Sequence, residues 1–147
     1  MPIETQVRIL VDILIALVLG GVIGFEREKR DKPAGFRTNI LIAGASAIFI
    51  ILGQYIVEEM KVYLSDQALG VDPTRIVHAV IFGVSFIGAG TILKSQNKET
   101  IHYLTTSATI LMSAAAGMAV ALRLYILALG VTLLTLLINT LVRKFYE

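Results

Sequence analysis

The stretch Thr100–Leu122, TIHYLTTSATILMSAAAGMAVAL, contains 23 residues without Asp, Glu, Lys or Arg. After Arg123, a second stretch of 19 such residues, LYILALGVTLLTLLINTLV, ends at Val142. A helix needs about 20 predominantly apolar residues to cross the hydrocarbon core of a bilayer. The two stretches therefore predict a pair of antiparallel transmembrane helices joined by a tight turn at Arg123, and they indicate an integral membrane protein.

Three more apolar runs precede this pair. Thr38–Val57 and Ile76–Leu93 contain 20 and 18 residues without a charge, so each is long enough to span. Ile13–Phe25 contains only 13, and it reaches spanning length when Val7–Asp12 is included, with Asp12 near one interface. We expect this first run to be a retained helix, because no basic segment precedes it and no cleavage pattern follows it. The predicted helices cover about residues 7–25, 38–57, 74–93, 102–121 and 124–142 of a single membrane domain, residues 1–147.

The composition agrees with a membrane protein. Of the 147 residues, 56% are hydrophobic and 16% are charged, whereas soluble domains carry about 25% charged residues. The charges are clustered in short blocks, so the apolar surface between the blocks needs a lipid bilayer as its solvent. Cysteine is absent, which excludes thiol and disulfide chemistry. The net charge of +2 is typical of topology signals, and we expect no nucleic-acid partner.

Lysine and arginine are unevenly divided between the two sides of the predicted five-helix bundle. The side of the N-terminus holds 4 of the 13 basic residues, and the opposite side holds 9. Basic residues concentrate on the cytoplasmic side of membrane proteins. We therefore expect the first loop and the C-terminus in the cytoplasm and the N-terminus outside.

Small residues at four-residue spacing occur in the first, third and fourth predicted helices. Lipid tails are as apolar as leucine, so membrane helices associate through close backbone contact, which small residues permit. Gly20 and Gly24 have this spacing in the first helix, and Ser113 and Gly117 have it in the fourth. We expect these three helices to form the centre of the bundle and the leucine-rich fifth helix to face lipid. The predicted packing glycines are Gly20, Gly24, Gly83, Gly88, Gly90 and Gly117.

A dense block of charge, EREKRDKPAGFRTN, covers residues 26–39 between the first two helices. Glu26 and Arg37 lie near its two ends, so they could pair across the hairpin, or Glu26 could stay free to meet a cation. An ordinary juxtamembrane block that sets topology and contacts lipid headgroups has the same composition. Composition alone favours this structural interpretation over a functional one.

Other polar residues lie at the helix ends or within the spans. Asp72 and Arg75 lie on one face before the third helix, where a helix cap and a surface ion pair account for both. His78 is the only titratable group clearly inside a span, and such groups are functional candidates. Hydroxyls in the fourth helix are weak evidence, because they often bond to their own backbone. With no nucleophilic triad and no HExxH pattern, we expect neither enzymatic activity nor a cofactor.

Several motifs together resemble one protein family. GGVIGFERE begins at Gly20, KPAGFRTN at Lys32, DPTRIV at Asp72 and GVSFIGAGTIL at Gly83, and they resemble the N-terminal membrane domain of the MgtC/SapB family. LTTSA, residues 104–108, is similar to a family segment as well, except that Tyr103 stands where glycine is usual and adds bulk there. The resemblance selects nine functional candidates: Glu26, Arg27, Arg37, Thr38, Asn39, Asp72, Arg75, Thr105 and Thr106.

The resemblance implies a multi-pass protein of the bacterial inner membrane. Members of this family are linked to growth in low magnesium and to survival inside macrophages, and they are often labelled magnesium transporters. The family role that the resemblance favours is regulatory, and one branch inhibits the F-type ATP synthase. Many members carry a cytoplasmic domain after the last helix. Because this sequence ends at Glu147, we expect that domain to be missing here.

Two functional hypotheses follow. The first is a membrane-embedded regulatory or interaction protein, active under magnesium limitation or virulence-type stress, whose partner is a second copy or another membrane protein. The alternative is an oligomeric magnesium transporter or channel, for which Asp12, Glu26 and Asp72 are the plausible ligands, since magnesium binds through one or two carboxylates. Magnesium is then either a ligand or a signal, and no other cofactor is expected.

Overall fold

The computed structural model describes residues 2–63, 72, 74–93 and 103–142, and the regular secondary structure within these ranges is helical. Four helices are long and apolar enough to cross a membrane, whereas the fifth forms a shorter apolar run, Tyr125–Leu141. The predicted all-α membrane fold with five helices is therefore confirmed. The predicted loop 94–99 and Pro73 lie outside the described residues. The elements are α1 (Ile3–Glu28), α2 (Phe36–Tyr63), α3 (Thr74–Leu93), α4 (Leu104–Ala121) and α5 (Tyr125–Leu137), which continues as a π-helical turn, Ile138–Val142.

Carboxylates cap the N-termini of two helices. Asp72 accepts hydrogen bonds from the hydroxyl of Thr74 at 2.7 Å and from its backbone N–H at 2.9 Å. These two bonds, the hydroxyl one foremost, hold the pKa of Asp72 below its ordinary value, so the carboxylate is ionised at neutral pH and faces the positive end of α3. Glu28, at the end of α1, accepts a 2.8 Å hydrogen bond from the backbone N–H of Phe36. The last turn of α1 thus caps the N-terminus of α2.

Helices α1, α2 and α4 form the centre of the bundle, and α3 and α5 pack on its sides. Ala43 of α2 is fully buried between the other two central helices. A Cβ atom at Gly20 of α1 would lie 2.6 Å from the Ala43 Cβ, and one at Gly117 of α4 would lie 2.0 Å from the Ala43 carbonyl oxygen. These glycines allow the three backbones to touch, which is how membrane helices gain contact without hydrophobic exclusion.

The prediction that α3 belongs to the centre is wrong, because α2 takes that place. Within the described residues, α3 contacts only α4 and α2. Gly88 does approach α4, since a Cβ there would meet the Ser107 hydroxyl. Among the described residues, Gly83 and Gly90 have no such neighbour within 4 Å, so the predicted close packing at these two glycines is not found in this part of the chain. The reason is rotational: both lie on the face of α3 that turns away from α4.

Candidate functional site: the charged hairpin and its buried arginine

The bundle has two ends of different chemistry. We call the end that carries residues 26–39 the hairpin end, and the end that carries residues 122–124, between α4 and α5, the turn end. The C-terminus of α1 and the N-terminus of α4 both lie at the hairpin end, because Arg27 contacts Thr106. Antiparallel packing therefore brings the motif residues of the hairpin, 26–39, and those at the start of α4, Thr105 and Thr106, to the same end of the bundle.

Arg27 is the central charge of the hairpin end. It lies in the last turn of α1 and is only 5% exposed. Its guanidinium donates to the hydroxyl of Thr106 on α4 and, at 3.4 Å, to the carbonyl of Pro33 in the hairpin. Within the described part of the chain, its Nε has no hydrogen-bond partner. Burying a cation is costly, and the charge of the neighbouring Glu26 offsets this cost only in part.

Asn39 joins the hairpin to the helical core. The side chain is fully buried, and its amide donates to the carbonyls of Ala34 and Gly35, the latter at 2.9 Å. Its oxygen accepts a 2.7 Å hydrogen bond from the Ser113 hydroxyl of α4. One side chain therefore fixes the loop, the first turn of α2 and the middle of α4 relative to one another.

Glu26 pairs with Arg30, which differs from both alternatives that the sequence left open, a pair with Arg37 and a free Glu26. The Glu26 Oε1 lies 2.7 Å from the Arg30 Nε, one helical turn away. No N–H points along this contact, so it is an ion pair and not an aligned hydrogen bond. Arg37 is exposed on α2. The i,i+4 spacing on α1 favours Arg30 because both side chains project from the same face of one rigid helix.

The ion pair of Glu26 and Arg30 also contacts the C-terminal end of α5. Arg30 donates to the carbonyl of Asn139 at 2.8 Å and to the hydroxyl of Thr140 at 3.1 Å. The amide of Asn139 lies 3.5 Å from the second oxygen of Glu26. Both acceptors of Arg30 belong to the π-helical turn, and such turns frequently occur at functional sites. The hairpin end therefore couples α1 to α5 as well as to α4.

The remaining candidates are more dispersed. Thr38 is half-buried and Thr105 is exposed. Asp72 and Arg75 lie where α3 begins, which antiparallel packing places at the turn end, away from Arg27. His78 is exposed on α3. The structure thus gathers Glu26, Arg27, Asn39 and Thr106 into one site and leaves the other candidates outside it.

A second polar cluster, which the sequence-based candidates did not include as a unit, lies at the turn end. Asp12 is 4% exposed and accepts a 2.7 Å hydrogen bond from the Tyr125 hydroxyl. Its other oxygen lies 3.6 Å from the Arg123 Nε. Arg123 has a φ of 59°, so it is both the tight turn between α4 and α5 and the counter-ion of Asp12. The sequence signal for this cluster is that Asp12 is the only carboxylate in the first predicted helix, residues 7–25.

Tyr103 differs from the family pattern in conformation more than in packing. It precedes α4 with a φ of 74° and is 42% exposed. The left-handed region costs an L-residue about 1–2 kcal/mol, whereas glycine adopts it freely. A glycine at position 103 would therefore avoid this backbone strain.

We expect Tyr103→Gly to raise the free energy of unfolding by about 1 kcal/mol, because relief of backbone strain exceeds the extra entropy of the unfolded chain. Unfolding curves in detergent micelles, followed by circular dichroism, measure the change. The matched control is Leu104→Gly in the first turn of α4, which should lower stability by about 1 kcal/mol. A Tyr103→Gly protein no more stable than the parent would show that contacts of the tyrosine ring outweigh the strain.

Long apolar helices, a centre where glycines of α1 and α4 meet Ala43 of α2, and a charged hairpin at one end define a polytopic helical membrane protein without a large soluble part in the described residues. The chain belongs to the MgtC family, whose profile it matches over residues 13–147. The predicted MgtC/SapB membership is thereby confirmed.

Three relatives illustrate the similarity. The chain is 41% identical over 130 residues to the Escherichia coli K12 protein named "Putative magnesium transporter YhiD", covering 88% of this chain and 58% of that protein. It is 40% identical over 111 residues to Protein SapB of Bacillus subtilis, covering 76% and 46% respectively. It is 34% identical over 132 residues to Protein MgtC of Brucella abortus, covering 90% and 50%. The chain spans about half the length of these relatives, and no solved structure matches it.

Proposed function

We propose that this protein is a regulatory or interaction protein of the bacterial inner membrane that acts in the response to magnesium limitation, with the hairpin end facing the cytoplasm. Family membership and the names of the relatives support the link to magnesium. The excess of basic residues on the hairpin side supports the orientation. The charges of the site support the regulatory role.

The observation that carries the regulatory role is the buried guanidinium of Arg27. It lies at the hairpin end of the central three-helix contact, with 5% of its surface exposed. A divalent cation that moved through this centre would meet a buried positive charge in a medium of low dielectric constant, where repulsion is strong. The carboxylates are also engaged, Glu26 by Arg30 and Asp12 by Arg123. These charges favour a scaffold held together by internal pairs over a conducting path.

We assign the contact with the interaction partner to the outer face of α3. Only 17% of its spanning segment is buried, against 33–56% for the other three long helices. A Cβ atom at Gly83 or Gly90 would have no neighbour within 4 Å among residues 2–63, 72, 74–93 and 103–142. The two glycines are seven residues apart, hence on the same side of the helix. Glycine on a membrane helix permits close approach of a second helix. We take a second copy of the chain as the occupant.

Because the chain has no cysteine, single cysteines can test this face in native membranes. We expect oxidation of Gly83→Cys and Gly90→Cys proteins to give a disulfide-linked species of twice the 16.0 kDa chain mass. Leu133→Cys on α5, also exposed (59%), is the matched control and should remain monomeric. A cross-linked species of another mass, or equal cross-linking of all three variants, would overturn self-association through α3.

Magnesium transport is the alternative, and one feature favours it. A cavity of about 440 Å³ at the turn end is lined by Asp12, Gln54 and Glu58, among others, which are oxygen donors of the kind that magnesium takes. Purified protein in liposomes loaded with a magnesium-sensitive dye separates the two functions. We expect no flux above protein-free vesicles, alongside a working transporter as positive control. Magnesium flux that is lost in the Asp12→Asn protein but kept in the Asp72→Asn protein would favour transport and overturn the regulatory proposal.

A further inference from the structure

An apolar groove runs between α1 and α2 on the outside of the bundle at the hairpin end. It has a volume of about 410 Å³, and the residues that line it are almost entirely apolar, including Val18, Gly21, Phe25, Phe36 and Ile40. Pockets for small ligands have volumes of about 300–1,000 Å³. The groove is therefore large enough for a ligand, and its walls suit only an apolar one.

The groove exists because of the glycines that join these two helices. Gly20 and Gly24 bring the backbones of α1 and α2 together, and at Gly21 a Cβ atom would lie 3.1 Å from the Phe36 ring and 3.2 Å from the Ile40 side chain. Phe25 and Phe36 flank the groove towards the hairpin, and they are 62% and 41% exposed. In a bilayer this surface faces lipid, so the first molecules to reach the groove are acyl chains.

Positive charge lies directly beyond the hairpin end of the groove. Lys29 follows Phe25 by four residues and continues its face of α1, and Arg37 lies three residues before Ile40 on α2. Both side chains are exposed, as is Lys32 in the loop between them. The exposed carboxylates of this hairpin are Glu28, which accepts a hydrogen bond from the backbone N–H of Phe36, and Asp31, so the exposed cations outnumber them by three to two. The mouth of the groove is therefore cationic.

We propose that this groove is a binding site for an anionic phospholipid, with an acyl chain between α1 and α2 and the headgroup phosphate at Lys29 and Arg37. The two halves of the site match the two halves of the ligand: an apolar slot of lipid depth and a cationic mouth at headgroup level. Basic pockets at the ends of transmembrane helices are known to recognise anionic headgroups. This inference stands apart from the proposed regulatory role, since it holds whether the protein regulates or transports.

Because the chain contains no tryptophan, a single introduced tryptophan can report the lipid at the groove. Phe25→Trp places the probe in the groove wall. Phe86→Trp on α3, 79% exposed, is the matched control. Phe86 and Phe25 have a similar depth in the bilayer. Phe86 lies two residues before Gly88, which is close to Ser107, and Phe25 lies two residues before Arg27, which contacts Thr106. Quenching by brominated phosphatidylglycerol and by brominated phosphatidylcholine gives the relative association of the two lipids at each probe.

We expect the Phe25→Trp protein to prefer phosphatidylglycerol over phosphatidylcholine by about fivefold or more, and the Phe86→Trp protein to show a ratio near one. Lys29→Gln together with Arg37→Gln should return the groove ratio to near one without changing quenching by phosphatidylcholine. If the double variant does not fold, each single substitution should give a smaller decrease in the ratio. Equal ratios at the two probes, or no effect of the charge removal, would overturn the proposal.

The acyl-chain half of the site has its own test. Val18→Phe fills the groove, and we expect it to reduce the preference of the Phe25→Trp protein for phosphatidylglycerol at least twofold. Val11→Phe lies seven residues earlier on the same helix face, outside the groove, and should leave the preference unchanged. Soluble glycerophosphate carries the headgroup phosphate without acyl chains. If it abolishes the preference for phosphatidylglycerol, or if Val18→Phe has no effect, the headgroup alone is bound and the groove is not an acyl-chain site.

Discussion

Gly117→Ala is expected to lower the free energy of unfolding by at least about 3 kcal/mol, the upper range for overpacking a core. A methyl group at this position of α4 would lie 2.0 Å from the carbonyl oxygen of Ala43 and 2.8 Å from its carbonyl carbon. These are backbone atoms of the middle of α2, so no side-chain rotation can relieve the overlap. The two helices would have to separate, and Ala43 would also lose its contact with Gly20 on α1.

The measurement is the denaturation curve of purified protein in detergent, together with the yield of monodisperse protein from membranes. Gly130→Ala on α5 is the matched control, because a Cβ atom there would meet nothing within 4 Å in the part of the chain that the structure describes. That substitution should be neutral or stabilising by up to about 1 kcal/mol, since alanine is the better helix former. Equal stability of the two variants would show that α2 and α4 do not touch at this point in the membrane.

Asn39→Asp is expected to have the second large effect, a loss of about 3–5 kcal/mol, as for an uncompensated charge in a protein interior. The carboxylate keeps the shape of the amide but has no N–H groups to donate. The carbonyls of Ala34 and Gly35 would then face a negative charge where they now receive hydrogen bonds. Ser113 can still donate to the new carboxylate, so the loss falls on the hairpin and not on the contact with α4.

Gln54→Glu provides the matched control for this substitution. It makes the same amide-to-carboxylate change on the same helix, but at an exposed side chain, and it should lower stability by less than about 1 kcal/mol. Ser113→Ala isolates the interhelical bond, which is expected to be worth about 0.6–1.7 kcal/mol, as measured for such bonds in membranes. An Asn39→Asp protein as stable as the Gln54→Glu protein would mean that the hairpin is not held by the amide.

Much of the fold could be predicted because the signal for a spanning helix is local. α3 begins at Thr74 and ends at Leu93, the predicted bounds. α1 starts at Ile3, four residues before the prediction, because Glu4 and Arg8 form an i,i+4 pair at the exposed start of the helix and do not interrupt it. Charge-free length identifies the hydrocarbon-spanning segment, but helices continue into the interface, where charged side chains are solvated.

The site was predicted only in part. The sequence placed the unusual chemistry in residues 26–39, and Arg27 and Asn39 are indeed the buried polar residues there. The structure differs from both alternatives for Glu26, a pair with Arg37 or a free carboxylate, because a pair across a hairpin depends on the loop path, whereas Arg30 is guaranteed to be close by the helix itself. Neither the contact of Arg30 with the π-helical turn nor the cluster around Asp12 could be predicted, since each joins residues about 110 positions apart in the chain.

By itself, the sequence determined that this protein is a bundle of membrane helices with its charges at the ends, since the transfer of apolar segments into lipid depends on local composition. Only the tertiary structure decided which helix lies at the centre and which cations neutralise the carboxylates. Lipid and protein are equally apolar surroundings for a helix, so hydrophobicity does not tell which face turns inwards. That choice is made by backbone contact, through the glycines at positions 20 and 117 meeting Ala43, and it buries Arg27 while turning Gly83 away from the other described helices.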